Sequence, residues 1–468
     1  MMPPFDAETL KLLEQAVKKL SGQFAELPEC AATQADPRVG EVLQQVAERM
    51  GDNYPYFHPL YAGQMLKPPH PVAHMAYALA MYINPNNHAL DGGRASSAME
   101  KEAVREIAAM FGWKEALGHL CGGGTVANLE ALWVAGRISA KSASHPVAPG
   151  GATRVGQPKK IVASTQAHYT HERITGVLGI PFAAIECDAR GRMDMGDLEA
   201  KLKGGDVGCV VATLGTTATG AVDPLSAILE MKAKYGFRVH VDSAYGGYFK
   251  LAGNLAPEAR AAFARMNEAD SIVVDPHKHG LQPYGCGCVV FKDPQVGRLY
   301  KHDSPYTYFT SSGDLHLGEI TLECSRPGAG AVALWATQKL LPLEPGGEFA
   351  QGLEACREAA LELHRRLAAD ARFVTPFAPE LDIVVWAPRA RSASEASARS
   401  RAIFEAAARR GLHLALASLP AKFFAGSGMQ MDSEHVGCLR SVLMKPEHKQ
   451  WVERIYGLLD EATRSIPD

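Results

Sequence analysis

Nowhere in the 468-residue chain is there an apolar run long enough to cross a bilayer, which excludes a membrane-spanning helix. Met1 to Glu8 place acid where a secretory leader would carry positive charge. The nine cysteines are scattered, with no Cys-x-x-Cys pair and no zinc-like Cys/His spacing. A disulfide framework and a structural zinc site are therefore disfavoured, and a reduced, cytoplasmic compartment is expected. Cys286 and Cys288 alternate along an apolar run, share one face and read as small buried hydrophobes. Formal net charge is only −3, without a basic stripe, so nucleic acid is not an expected partner. The Gly-x-Gly-x-x-Gly opening of a dinucleotide fold is missing, as is the Gly-Lys-Ser/Thr ending of a nucleotide P-loop. NAD and nucleoside triphosphates are disfavoured with them.

What is present has the balance of a soluble globular protein, 47% hydrophobic and 21% charged. At this length a large core with one or two smaller parts is expected. Leu10, Leu13, Val17, Leu20 and Phe24 predict an amphipathic helix over 5–27. From there to about 100, Pro, His, Asn and Tyr predict ordered, irregular loops. Residues 1–100 are thus read as an N-terminal helical and loop segment. Over 101–344, short apolar runs alternate with helical segments. Strands are predicted at Lys160–Ser164, Gly208–Leu214, Phe237–Ser243, Ser271–Val274 and Cys286–Phe291. Their lack of polar alternation predicts a mostly parallel α/β sheet covered on both faces by helices. Residues 345–468 predict a smaller α/β domain, with helices near 348–370, 393–410 and 447–462. Its strands are expected at Leu381–Trp386, Leu412–Ser418 and Cys438–Met444. The stretch Ala378–Ser400 offers no legible chemistry.

Several of these strands end in residues that carry chemistry. Ser271 to Val274 run into Asp275-Pro276-His277-Lys278. Pro276 cannot continue a central ladder, so Lys278 reaches the sheet rim, where open α/β folds place ligands. A lysine amine in a partly desolvated pocket is suited to attack an aldehyde. His240-Val241-Asp242 ends a second strand, and a carboxylate there suits the pyridinium nitrogen of pyridoxal 5′-phosphate. Ala244 shares its face with Asp242 and is small enough to lie under a ring. Cys121-Gly122-Gly123-Gly124-Thr125 runs into a helix, whose free N–H groups and dipole make an anion site, with the Thr125 hydroxyl as a further donor. His168, after Ser164-Thr165-Gln166-Ala167, could stack on the cofactor ring and take part in proton transfer. Gly215-Thr216-Thr217 brings hydroxyls that could brace Asp242 or the cofactor rim.

In this order and spacing these motifs resemble the group II pyridoxal-phosphate-dependent decarboxylases, which act on glutamate, aromatic amino acids or cysteine sulfinate. The resemblance covers roughly residues 50–460. It implies fold type I, like aspartate aminotransferase, and a homodimer with active sites at the subunit interface and the N-terminal segment packed on the partner. It further implies that Lys278 holds the cofactor covalently and that Asp242 pairs with its ring nitrogen. His168 and Ala244 would flank the ring, with Gly123, Gly124, Thr125, Thr217 and His277 at the phosphate and rim. Asp275 departs from the asparagine of many members and adds negative charge near an anion.

The same resemblance implies a catalytic tyrosine on a loop, matched by Tyr306 better than by Tyr308, to return a proton to the substrate carbon. Arg326, in Ser325-Arg326-Pro327-Gly328, falls where an arginine could meet a substrate carboxylate. Gln64 falls in a segment similar to the substrate-contacting one of glutamate and cysteine sulfinate decarboxylases. Aromatic neighbours Tyr54, Tyr56, Phe57 and Tyr61 suit an aromatic substrate as well. The expected activity is decarboxylation of an acidic or aromatic L-amino acid to an amine and CO2. The competing readings are an aldehyde lyase similar to sphingosine-1-phosphate lyase, an aminotransferase, and a cofactor-binding scaffold without turnover.

Overall fold

A computed structural model describes residues 6–28, 36–142, 156–300 and 316–466. Seven strands form the main sheet: β1 (Leu117–Cys121), β2 (Lys160–Ser164), β3 (Phe182–Ile185), β4 (Val207–Thr213), β5 (Arg238–Asp242), β6 (Ser271–Val274) and β7 (Gly287–Phe291). Their order is β1-β7-β6-β5-β4-β2-β3. All pairs from β6 to β3 are parallel, and β7 is antiparallel to both of its neighbours. Every residue of β4, β6 and β7 is buried, which explains runs without polar alternation. Cys286 and Cys288 are buried among them. The five strands expected within this sheet are all present within a residue at each end, while β1 and β3 add one strand at each edge.

A second, antiparallel sheet has the order β10-β11-β9-β8, from β8 (Phe373–Val374), β9 (Ile383–Pro388), β10 (Ala415–Pro420) and β11 (His435–Val442). Helices Glu348–Ala369, Ala393–Ala408 and His448–Arg464 pack on it around the fully buried Trp386. Ser392 starts the middle helix by accepting from the Glu395 amide. Among the described residues no helix is long and apolar enough to cross a membrane.

The N-terminal hundred residues are more helical than composition predicted. Helices occupy Ala7–Gly22, Val39–Met50, Pro71–Met81 and Leu90–Met110. Proline here starts a helix, since Pro71 sits in its first turn, where its missing N–H costs nothing. His70 caps the same turn by accepting from the Val72 amide.

Candidate active site

The carboxyl ends of β4, β5 and β6 open into a cavity of about 280 Å³. Its wall includes Gly123, Gly124, Thr125, His168, Thr217, Asp242, Ala244, His277 and Lys278, so the structure gathers every residue expected around the cofactor. Asn128, Thr213, Tyr245 and Asp275 complete much of the rest.

Asp242 ends β5 fully enclosed. Its Oδ2 lies 2.9 Å from His171 Nε2, and Oδ1 accepts from the Ala244 amide at 3.1 Å. Burial pushes this carboxyl up, but the His171 hydrogen bond and charge, with the Ala244 amide, outweigh it and hold the group well below the usual carboxylate range. His171, one turn after His168 in the helix Thr170–Leu178, had no part in the sequence reading. Its signal was the three-residue spacing between the two histidines, which places both at one helix start. The threonines of Gly215-Thr216-Thr217 do not brace Asp242. Thr216 bonds Thr219 at 2.9 Å, and the brace comes from His171 instead.

His168 Nδ1 lies 2.8 Å from the Thr170 hydroxyl and accepts from the Thr170 amide, which leaves Nε2 to carry the proton. Burial lowers its pKa, against the pull of Asp242. Behind the cavity His240 contacts Ser271 through Nδ1 at 2.9 Å and Asn128 Oδ1 through Nε2 at 2.8 Å. Burial drives it down to about 3, so this histidine is neutral.

At the glycine-rich end, Gly123 has φ +144°, and a Cβ on Gly124 would stand 2.7 Å from Asp275 Oδ2. Only glycine leaves the start of the helix Gly124–Ser142 open in this way. Asp275 is buried and pairs with Lys278 Nζ at 2.9 Å, while its Oδ1 has no hydrogen-bond partner. His277 Nδ1 accepts from the Cys286 amide at 3.3 Å, so its Nε2 proton faces Asp275 Oδ2 at 3.4 Å. Tyr284 stacks on the His277 ring, with centroids 4.6 Å apart.

These features fit a phosphorylated pyridine aldehyde. There is a primary amine for the aldehyde, a clamped carboxylate for a ring nitrogen, small and imidazole side chains in the wall, and a bare helix start for a dianion.

Gln64 and Arg326 are not in this wall. Gln64 is carried by a segment stitched to the second sheet, with the Val442 amide bonded to Ala62 O and the Ala62 amide to His413 O. Its Oε1 accepts from Arg440 Nη1 at 3.1 Å. Arg440 lies in β11, buried, with Nε and Nη2 lacking partners, and is electrostatically coupled to the cavity residue Tyr245. Sequence reasoning missed it, although an arginine inside the apolar run Cys438-Leu439-Arg440-Ser441-Val442 was a visible signal.

Arg326 corrects the sequence expectation. It pairs with Glu100 at 2.8 Å and donates to Leu120 O, so its guanidinium braces β1 and is not presented to the Lys278 cavity. Glu100 also accepts from Asn87 at 2.6 Å and from the Leu120 amide at 2.9 Å. Glu100→Ala should leave a buried, uncompensated guanidinium and cost about 3–5 kcal/mol of stability in urea unfolding. Wild-type stability in that variant would remove the pair from its structural role. Tyr306 and Tyr308 lie outside the described residues.

The family model described as "Pyridoxal-dependent decarboxylase conserved domain" matches residues 44–388. The L-tyrosine decarboxylase of Enterococcus faecium is 29% identical over 452 residues, covering 76% of this chain and 73% of that protein. The L-aspartate decarboxylase of Thermococcus kodakarensis is 28% identical over 327 residues, covering 69% and 79% respectively. Among solved structures, mouse CSAD superposes with a TM-score of 0.77 at 19% identity, over 99% of this chain and 100% of that one. Oryza sativa TDC, solved with PLP and tryptamine, gives 0.76 at 19% identity over 99% of both chains.

Proposed function

From the premise that this chain belongs to the pyridoxal-dependent decarboxylase family, we propose that it decarboxylates an acidic or aromatic L-amino acid at the Lys278 cavity. The protein is an amino acid carboxy-lyase, and pyridoxal 5′-phosphate is its cofactor. The observation that carries the site assignment is the convergence of Lys278, the His171-clamped Asp242 and the open glycine helix start on one cavity.

Once bound, the cofactor supplies an electron-accepting ring for the pair left behind when CO2 departs. In this reading Lys278 provides the amine and Asp275 holds that amine in place. Asp242 presents its negative charge to the ring nitrogen, and His171 fixes the direction of the carboxylate. His168 and Ala244 flank the ring, while the Gly123–Thr125 backbone with Thr217 and His277 surrounds the phosphate and rim. Arg440 and Gln64 are the groups suited to hold a substrate carboxylate, because the Arg440 guanidinium has no carboxylate partner of its own among the described residues and keeps Nε and Nη2 free to donate to one. Tyr306 is the proton donor of this scheme.

The relatives divide between tyrosine and aspartate as named substrates. CO2 release from tyrosine, tryptophan, aspartate, glutamate and cysteine sulfinate tests the reading. Release from one of these classes well above the others supports it, and release from none removes it.

The reading includes a cytoplasmic homodimer, with residues 345–468 as a second, smaller domain. Support for the dimer comes from the helix Val39–Met50, which buries no residue within the chain. Val39, Val42, Leu43, Val46 and Met50 form an apolar stripe along it, each about half exposed or more. A second copy would cover this stripe. Val42→Glu combined with Leu43→Glu should shift the protein to monomer in light scattering, and a retained dimer would remove this stripe from the interface.

A further inference from the structure

Three side chains without a part in this chemistry meet in the buried seam between the two sheets. Asp382, immediately before β9, is fully buried. Its Oδ1 accepts from the Tyr245 hydroxyl at 2.5 Å, and its Oδ2 lies 3.2 Å from His279 Nε2. The Tyr245 and His279 rings meet edge to face with centroids 4.8 Å apart. Tyr245 lines the Lys278 cavity, and His279 directly follows Lys278 in the chain. One carboxylate from the C-terminal sheet thus grips both a wall residue of the cavity and the turn that presents its lysine.

A buried carboxylate is costly unless well paired, and an apolar seam between packed sheets would be stable without one. Its neighbours show what it holds. The turn after Pro276 places Leu281 at φ +63°, a left-handed conformation unfavourable for leucine. That conformation is held from outside, by the His70 amide on Leu281 O at 2.9 Å and by Gln282 on Thr337 at 2.9 Å. His279 is the third tie, a close polar contact with Asp382 Oδ2 at 3.2 Å that lacks hydrogen-bond alignment, and its Nδ1 has no partner either. Burial lowers this histidine's pKa, against the pull of the Asp382 carboxylate. The basic side chains that interact with Asp382 are Arg440 and Lys67.

We propose that Asp382 is a positioning residue, which orients Lys278 through His279 and fixes the cavity wall through Tyr245, so that the lysine is correctly presented only with the C-terminal sheet docked. The kinetic part of this inference rests on the decarboxylase reading, while the spectroscopic part needs only cofactor binding.

The test compares wild type, Asp382→Asn, His279→Asn and the double variant after reconstitution with pyridoxal 5′-phosphate. In Asp382→Asn the long-wavelength cofactor band should titrate about one pH unit or more below its wild-type position, because a negative charge near the protonated form is gone. kcat should fall roughly 10- to 100-fold with KM changed less than about 3-fold. His279→Asn should also move the band, by misplacing Lys278 and not by loss of charge, and the double variant should add nothing to Asp382→Asn. Asp382→Glu should recover part of the loss. A wild-type band titration in Asp382→Asn and His279→Asn, with only a lower Tm, would overturn the proposal. If Asp382→Asn does not fold, His279→Asn and Tyr245→Phe decide it, and unshifted bands in both would overturn it equally. Wild type that binds the cofactor without releasing CO2 would defeat the decarboxylase reading alone, leaving the band titration to judge Asp382.

Discussion

Lys278→Ala is expected to abolish CO2 release and to remove the long-wavelength absorption of the bound cofactor near ~420 nm together. The side chain is the amine in the cavity wall, delivered by the end of β6 and held 2.9 Å from Asp275. A loss of about 10³-fold or more corresponds to roughly 4 kcal/mol of barrier, more than a change in packing at a partly exposed lysine would give. Loss of activity with the absorption band intact would mean that another lysine holds the cofactor. Arg is not a substitute here, because its guanidinium stays protonated and cannot supply the free amine.

Asp242→Asn should have the second largest effect, a fall in CO2 release of about 10³-fold with the fold preserved. Asparagine keeps the size and one acceptor for the Ala244 amide, so the change isolates the charge. That charge is secure in the wild type. The carboxyl is held well below its ordinary range, so it stays ionised through neutral pH. The sign follows: a depressed folded-state pKa contributes stability above the unfolded value and loses it as pH falls through the folded one. An activity profile measured from pH 5 to 8 should therefore show no acid limb belonging to Asp242. His171→Gln should cost less, roughly tenfold, since it disturbs the direction of the carboxylate while leaving its charge. Equal activity in Asp242→Asn and wild type would remove Asp242 from the ring nitrogen.

What sequence reasoning found and what it missed divide along a physical line. Lys278 and Asp242 were legible because each follows or ends a short apolar run at the rim of a parallel sheet, and the Gly122–Gly124 loop because its glycines run directly into a helical pattern. The buried strands were legible as well, since composition alone marks a strand covered on both faces. Contacts between distant segments were not legible. Tyr245 and Asp382 are 137 positions apart, and Gln64 and Arg440 are 376 apart. The stretch Ala378–Ser400 showed no chemistry because the partners of Asp382 are all elsewhere. Arg326 failed in the opposite sense. Its local motif suggested a substrate contact, while Glu100, far upstream, takes its charge. The helix Val39–Met50 was hidden by the Pro-rich and aromatic-rich segments that follow it, although Val39, Val42, Leu43 and Val46 have helical spacing.

The central claim is that the cavity at the ends of β4, β5 and β6 holds pyridoxal 5′-phosphate on Lys278. The most direct measurement is borohydride reduction of the reconstituted protein, followed by mass mapping of the labelled peptide. Label on the peptide containing Lys278, absent when Lys278→Ala is treated in the same way, is the predicted result. Label on another lysine, or none on a protein that still releases CO2, would contradict it.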